Sequence, residues 1–357
     1  MTNNDIPKLR IAAQHLISSQ FTKPAEIVSH LGAMQAQDYG MSKWAVGSRI
    51  GSTELEVENA IENGEIIRTH ILRPTWHLVA AKDIHWMLEL TAPHVKKFII
   101  APIYKQYGLN EKDLQGYNTI IQKALSGNKH LTREEIMTEL KIKSTEKLDL
   151  RPVLIAMNAE LDGIICNGRM RGKQITYALL DERVTKSLQL SKEEGLAELA
   201  KRYFTSHGPA TLQDFSWWSG LSVTNSKLAL ELIKKDFQSV SLGDQIYWFS
   251  RELEDKKLDK DTIHLLPAFD EFLISYKDRT ASIPLEHQPK AFSKNGIFYP
   301  IIVVNGKVVG LWKRTIKKDT VIIETQFFLP IANSLNGFIV EAAEGYGSYV
   351  GKKVIVK

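Results

Sequence analysis

Residues 164–179, IICNGRMRGKQITYAL, decide the fold. Two short apolar runs at 164–167 and 174–179 flank a basic turn, which predicts a β-hairpin. Helical spacing of apolar residues upstream predicts helices over 114–125, 134–140 and 150–161. Thr132 followed by Glu135 forms a capping-box pattern that marks the start of the second of these helices. Three helices followed by a basic hairpin are typical of a winged-helix unit.

The turn of this hairpin is a candidate DNA-binding wing. Arg169, Arg171 and Lys173 alternate along it, so an extended strand would project all three to one side. Three cations in a row suit a wing that contacts DNA phosphates. The alternative is a solvated turn with no ligand.

The same order of elements recurs on both sides. Helices around 196–204, 211–218 and 225–236 precede a hairpin at 239–249. Helices over 9–17, 24–34 and 53–63 precede another at 66–79. From about 263 onward the pattern changes to strands at 298–304, 308–313 and 321–328, a helix over 331–344 and a last strand near 354. We therefore predict an α+β fold with three tandem winged-helix units, at 1–105, 106–188 and 189–262, and a β-rich region at 263–357.

Composition narrows the class of protein. The chain has 357 residues and a net charge of +5, which permits a nucleic-acid partner without requiring one. A single cysteine, Cys166, excludes an internal disulfide and a cysteine-rich zinc site and fits a reducing compartment. No apolar run approaches the roughly 20 residues of a membrane span, and the polar N-terminus does not resemble a signal peptide. We expect a cytoplasmic protein.

The common catalytic signatures are missing. The sequence contains no GxxxxGK[ST], no GxGxxG after a strand, no GxSxG and no HExxH. The ten histidines show no paired metal-ligand spacing; His70 and His77 flank one hairpin, for which a structural role is the simpler interpretation. We therefore expect neither a metal nor a cofactor.

The segment Gln35-Ala36-Gln37-Asp38 contains the candidate chemistry. If the preceding helix ends here and the backbone is extended, Gln35 and Gln37 project in the same direction. Two convergent amides can position a water molecule without ionising. The alternative is a polar helix end followed by a turn.

Five stretches together resemble one family. They are 34–40 (MQAQDYG) with Trp44, 73–79 (RPTWHLV), 207–211 (HGPAT), 265–272 (LLPAFDEF) and 305–312 (NGKVVGLW). In this order and over about residues 8–345, the chain resembles the winged-helix family of bacterial alkylpurine DNA glycosylases that contains AlkZ and AlkX (YcaQ).

The resemblance implies a monofunctional DNA glycosylase that acts on cationic N7- or N3-alkylpurines in duplex DNA, with crosslink unhooking as an extension. It implies Gln35 and Gln37 as the catalytic pair, in the double-glutamine form of the motif. Arg73, Thr75 and His77 are carried over as residues that line the site.

Other residues near the motif have open roles. Asp38 is a candidate supporting carboxylate, and Tyr39, Trp44 and Trp76 are either base-stacking or core aromatics. Asp270 is either a structural carboxylate paired with Arg279 or a catalytic carboxylate, and the structural role is the simpler interpretation. The rival function is a non-enzymatic winged-helix regulator, which would select a defined DNA sequence.

Overall fold

The computed structural model describes residues 1–142, 149–253, 256 and 261–357. The predicted α+β class and strand-rich C-terminal region are confirmed. Among the described residues, no helix has both the length and the apolar character needed to span a membrane.

The N-terminal region combines helices with a three-stranded sheet, in which β3 (Thr75–Ala80) lies between β1 (Met34–Gln35) and β2 (Ile66–Ile71). Its elements are α1 Asp5–Ala13, α2 Pro24–Leu31, β1 Met34–Gln35, α3 Tyr39–Ile50, α4 Glu54–Glu62, β2 Ile66–Ile71, β3 Thr75–Ala80 and α5 Ile84–Val95.

The structure differs from the sequence-based expectations for this region at three helices. The first helix, predicted over 9–17, is observed at Asp5–Ala13. The second helix does not continue to Met34, because Gly32 adopts a φ of +78° and the chain leaves the helix there. Met34 and Gln35 instead pair with Leu78 and His77 of β3. The helix α3 was not predicted; it begins where the Asp38 side chain accepts a hydrogen bond from the Met41 N–H at 3.0 Å.

The middle region confirms the predicted helices and hairpin to within a few residues. A π-helical turn at Lys96–Ile100 leads into α6 Ala101–Gln106, α7 Glu111–Leu125, β4 Leu131–Thr132, α8 Arg133–Glu139, α9 Arg151–Leu161, β5 Ile165–Asn167, β6 Thr176–Leu179 and α10 Leu180–Arg183. The capping box at Thr132 and Glu135 is present, with both reciprocal hydrogen bonds. Cys166 is fully buried, as expected for a structural cysteine.

The third group of elements also follows the predicted order. It consists of α11 Lys192–Ser206, α12 Leu212–Ser219, α13 Val223–Ile233, β7 Phe237–Leu242 and β8 Gln245–Ser250. Thr211 caps α12, as its position before an apolar run predicts.

The C-terminal region is built on a five-stranded sheet. Its elements are β9 Ile263–Leu266, α14 Glu271–Ile274, α15 Gln288–Ala291, β10 Ile301–Val304, β11 Lys307–Ile316, β12 Thr320–Phe327, α16 Asn336–Val350 and β13 Lys353–Val356. The strand order is β13-β12-β11-β10-β9, and within this sheet only the β12–β13 pair is parallel. The strand predicted from 298 begins at Ile301, and the helix predicted over 331–344 is shifted to Asn336–Val350.

Two hydrophobic cores meet at β3. On one side, Leu78 packs with residues of α2, α3 and α4 against the C-terminal sheet and α16. On the other side, Val79 packs with α5 and with α11, α12 and α13. The hairpin β2–β3 is therefore fixed between the N-terminal, third and C-terminal parts of the chain, which holds the residues on β1 and β3 in place.

Candidate active site

The glutamine motif lies at the end of the short strand β1. Met34 and Ala36 are fully buried in the core shared with the C-terminal sheet. Gln35 is the last residue of β1, and the backbone bends at Gln37 and Asp38 before α3 begins. The common direction of the Gln35 and Gln37 side chains therefore stays a prediction. Gln35 is 5% exposed, whereas Gln37 is exposed. The pair thus spans the boundary between protein interior and solvent.

Main-chain groups of the motif are held by two long-range contacts. The Gln35 N–H donates to Glu271 Oε1 at 2.6 Å, across 236 residues of sequence. The carbonyl of Ala36 accepts two hydrogen bonds from the buried Arg68 guanidinium, at 3.1 and 2.9 Å. Arg68 also donates to Asn167 Oδ1 at 2.6 Å. The motif is therefore linked to the hairpin of the middle region, two residues before Arg169.

Arg73 determines the orientation of the Gln35 amide. Its Nη2 donates to Gln35 Oε1 at 3.1 Å. A guanidinium has only donors, so the amide must present its oxygen to Arg73 and its NH₂ group elsewhere. Arg73 lies in the β2–β3 turn, against which Gly220 packs: a Cβ on Gly220 would lie 2.6 Å from the Leu72 carbonyl oxygen. The end of α12 thereby supports the turn that carries Arg73.

Glu271 is a buried carboxylate behind Gln35 that the sequence analysis did not assign. Its Oε2 accepts from Trp218 Nε1 at 3.1 Å and from the Ser275 hydroxyl, and it lies 3.5 Å from His207 Nε2. Each of these donors is itself buried. Glu271 was part of the 265–272 stretch that carries the family resemblance, but nothing local in that stretch indicates contact with Gln35.

Charge in this cluster is set by burial and by close neighbours. Burial alone raises the pKa of Glu271, but His207, His77 and Arg73 more than offset it and hold the pKa at about 2. Burial, followed by the charge of Arg73, lowers the pKa of His77 to about 3. At neutral pH Glu271 is therefore a carboxylate and His77 a neutral imidazole.

Strand β3 carries two buried polar atoms that have no hydrogen-bond partner among the described residues. They are Thr75 Oγ1 and His77 Nε2. His77 is opposite Gln35 in the β1–β3 pairing, while its Nδ1 lies 2.9 Å from the Thr75 carbonyl oxygen. Thr75 and His77 alternate on β3 and therefore lie on one side of the strand, whereas Arg73 precedes the strand in the turn. Of the three positions carried over by resemblance, Arg73 contacts the Gln35 side chain and His77 pairs with Gln35 across the two strands.

Trp76 lies on the other side of β3. Its Nε1 donates to Glu160 Oε1 at 3.3 Å, and the Arg68 guanidinium lies 4.3 Å from its ring centre. His70 contacts both Glu160 and Trp76. Its Nδ1 lies 2.5 Å from Glu160 Oε2, and its ring centre lies 4.6 Å from that of Trp76. These contacts join the first hairpin to α9.

The remaining candidates near the motif have structural partners. Asp38 caps α3, the Tyr39 hydroxyl donates to Glu58 at 3.1 Å, and Trp44 is buried with its Nε1 on the Leu265 carbonyl. Trp44 is therefore a core residue.

The expected pairing of Asp270 with Arg279 was wrong. Asp270 accepts two hydrogen bonds from the buried Arg49, at 2.9 and 2.8 Å. Arg279 instead donates to the Leu273 carbonyl and lies near the ring of Trp217.

The basic wing differs in detail from its prediction. Strands β5 and β6 end before the basic residues, so Arg169, Arg171 and Lys173 lie in the connecting loop and strand alternation does not apply. All three are exposed. Arg171 is paired with Glu135 at 2.7 Å and donates to the His130 carbonyl, so part of its charge is neutralised.

Comparisons with known proteins identify the family and the fold. The family model described as "DNA glycosylase AlkZ-like" matches residues 28–349. The interstrand DNA cross-link repair glycosylase of Streptomyces sahachiroi is 23% identical over 320 residues, which cover 82% of this chain and 84% of that protein. The solved structure of the Streptomyces sahachiroi DNA glycosylase AlkZ superposes with a TM-score of 0.83 at 20% identity, covering both chains fully.

The chain belongs to the AlkZ-like family of DNA glycosylases. This membership favours a glycosylase over the non-enzymatic regulator that the sequence left open. It also places the glutamine motif and all of its contacts within the matched region.

Proposed function

We propose that this protein hydrolyses the N-glycosidic bond of cationic N7- or N3-alkylpurines in duplex DNA, as a monofunctional glycosylase that needs no metal or cofactor. The observation that carries the proposal is the Gln35 amide, whose oxygen is bound by Arg73, beside the exposed Gln37. Gln35 and Gln37 are the proposed catalytic residues. The name of the Streptomyces relative supports interstrand crosslinks as further substrates.

The two glutamines have different roles in this mechanism. Because Arg73 occupies the Gln35 oxygen, Gln35 presents its NH₂ group and donates to the attacking water. Gln37 is free to present its oxygen and accept a hydrogen bond from the same water. Together they direct a lone pair of the water toward C1′ of the sugar.

The substrate needs little acid catalysis. When the C1′–N bond of an N7- or N3-alkylpurine breaks, the base takes the electron pair and leaves as a neutral molecule. The water oxygen forms the new bond to C1′, and its surplus proton passes to solvent past Gln37. Amides, which neither gain nor lose a proton at neutral pH, are sufficient for this step.

The buried carboxylate supports the positive charge that develops on the sugar. Glu271 is ionised and holds the Gln35 main chain, which places a negative charge behind the glutamine pair. A fixed charge in a buried site acts more strongly than in water. Thr75 Oγ1 and His77 Nε2, for which the described part of the chain offers no hydrogen-bond partner, complete the lining of the site.

The proposed DNA-binding surface includes the loop of the middle hairpin. We assign residues 1–105, 106–188 and 189–262 to winged-helix units and 263–357 to a β-rich region, on the basis of helices followed by a hairpin in each unit. Arg169, Arg171 and Lys173 are the proposed phosphate contacts. Because the proposed substrate is chromosomal DNA, we propose that the protein acts in the bacterial cytoplasm.

Release of the modified base tests the proposal. Purified protein is incubated with a duplex carrying one N7-methylguanine, and free base and abasic sites are measured against a no-enzyme control. We expect base release, with strand breaks only after alkali treatment. Binding of the duplex without release above the control rate would contradict the function.

A further inference from the structure

An exposed tryptophan lies at the rim of the candidate active site. Trp217 of α12 is 42% exposed, and its Nε1 donates to the Ile274 carbonyl at 3.2 Å. Arg73 Nη1 lies 3.5 Å from the same carbonyl oxygen, while Arg73 Nη2 binds Gln35. Trp217 is therefore connected to the glutamine motif through the Arg73 side chain. A tryptophan presents a large, rigid ring and is common where proteins bind a partner.

A second arginine lies beside the same ring. The Cζ atoms of Arg279 and Arg73 are 5.7 and 5.9 Å from the Trp217 ring centre. Arg279 Nε donates to the Leu273 carbonyl at 2.9 Å, and its Nη1 donates to the Lys277 carbonyl at 3.4 Å near the surface. Its Nη2 has no acceptor among the described residues and is accessible to solvent. Arg279 therefore keeps donor capacity for a ligand.

The charge of Arg279 has no ion-pair partner in the described part of the chain. Two acids act on it from nearby, but they hold main-chain groups instead. Asp214 Oδ1 accepts from the Asp278 N–H at 3.3 Å, and Asp278 Oδ1 accepts from the Thr280 N–H at 2.8 Å. Burial, then the charge of Arg73, lowers the pKa of Arg279 to about 10, so it stays protonated at neutral pH. A partly buried cation without a partner is costly, which favours an anionic ligand.

We propose that Arg279 binds a DNA phosphate beside the modified nucleotide and that the exposed Trp217 ring packs on the sugar next to this phosphate. The inference rests on the proposed function, which places that nucleotide at Gln35 and Gln37. A guanidinium matches the geometry of a phosphate, and DNA offers this anion and an apolar sugar face together. Because Arg73 is bound to Gln35, Arg279 is the cation left for the contact. The contact holds the strand with C1′ against the glutamine pair.

Removal of single phosphate charges tests this contact. The probe is a duplex with N7-methyl-2′-fluoro-2′-deoxyguanosine, whose fluorine disfavours positive charge on the sugar and so slows cleavage. Each of the nearest linkages on both sides is replaced in turn by an uncharged methylphosphonate, and affinity is measured by fluorescence anisotropy. We expect the wild type to lose affinity by about tenfold at one linkage. Arg279→Met should lose a similar factor with the all-phosphate duplex and no more at that linkage, because both changes remove the same contact.

Matched variants separate the contact from structural effects. Arg251→Met also removes a guanidinium that donates to a main-chain carbonyl, that of Lys235, and should keep the full response to the methylphosphonate. Arg279→Lys keeps the charge and should keep part of that response. Trp217→Ala should weaken binding by about tenfold and Trp217→Phe much less, because phenylalanine retains an aromatic face. Circular dichroism checks that each variant is folded.

Absence of a sensitive linkage in the wild type would overturn the proposal. So would additive losses in Arg279→Met at every linkage, and wild-type affinity of Trp217→Ala would overturn the role of the ring. These outcomes are read from affinity for an uncleaved duplex. Failure of the wild type to release N7-methylguanine from the ordinary substrate is a separate result, which would overturn the proposed function and this inference with it.

Discussion

Arg73 Nη2 lies 3.1 Å from Gln35 Oε1, and this contact leaves the Gln35 amide only one chemically sensible orientation. The main-chain N–H of the same glutamine is bound by Glu271. Gln35 is thus held at its side chain by a cation and at its main chain by an anion. No charged group of the described residues holds the exposed Gln37 in this way, so the two amides of the motif are not equivalent.

Arg73→Met should reduce catalysis more than binding. Without the guanidinium, the Gln35 amide is free to rotate and present either atom to the water. Misplacement of a catalytic group of this kind costs on the order of 100-fold in rate. Single-turnover release of N7-methylguanine at saturating enzyme measures this effect. The wing variant Arg169→Ala is the control, because it also removes one positive charge. If Arg73→Met and Arg169→Ala gave the same rate at saturation, Arg73 would be only a phosphate contact.

Glu271→Ala should destabilise the fold by about 3 kcal/mol or more, because it leaves the Gln35 N–H and the Trp218 indole N–H buried without a partner. Glu271→Gln keeps an acceptor oxygen and should cost less. Urea denaturation measures both. Equal stability of Glu271→Ala and wild type would show that the buried contacts are not formed in solution.

The same carboxylate predicts a pH dependence. Its pKa is lowered from 4.5 to about 2 in the folded chain. Its contribution to the free energy of unfolding is therefore complete above about pH 4.5 and is lost as the pH falls toward 2. We expect stability to fall less steeply across this window in Glu271→Gln than in the wild type. Parallel curves for the two proteins would contradict the assigned charge state.

The three basic residues of the wing should contribute unequally to DNA affinity. Each phosphate contact adds about 0.9 to the slope of log affinity against log salt concentration. Arg169→Ala with Lys173→Ala should therefore reduce the magnitude of that slope by about two. Arg171→Ala should change it less, because Glu135 already pairs with Arg171. Fluorescence anisotropy over a salt series tests this, and an unchanged slope in the double variant would remove the wing from the DNA interface.

Local sequence patterns predicted the helices and hairpins well. Caps such as Thr132 and Thr211, and the apolar spacing that follows them, act within one or two turns and are visible in the sequence. Met34 shows where local patterns fail. Its apolar spacing predicted that the helix continues, but in the structure Met34 is in a strand that pairs with Leu78 of β3.

The supporting residues of the site were harder to predict. Glu271 reaches Gln35 from 236 positions away, and Asp270 selects Arg49, 221 positions away, over the nearby Arg279. Such contacts depend on how the C-terminal sheet packs on the N-terminal helices. The glutamine motif was singled out by its residue types and spacing, the family resemblance implies its catalytic role, and that role stays a prediction.

Comparison of the double variant Gln35→Ala/Gln37→Ala with the wild type tests the central claim most directly. Both proteins are assayed for N7-methylguanine release and for duplex affinity, with circular dichroism as a check of folding. The two amides are assigned to the water and not to the DNA or the core. We therefore expect base release to fall to the uncatalysed rate while affinity and secondary structure are retained. Base release at the wild-type rate by the folded double variant would contradict the catalytic role of both glutamines.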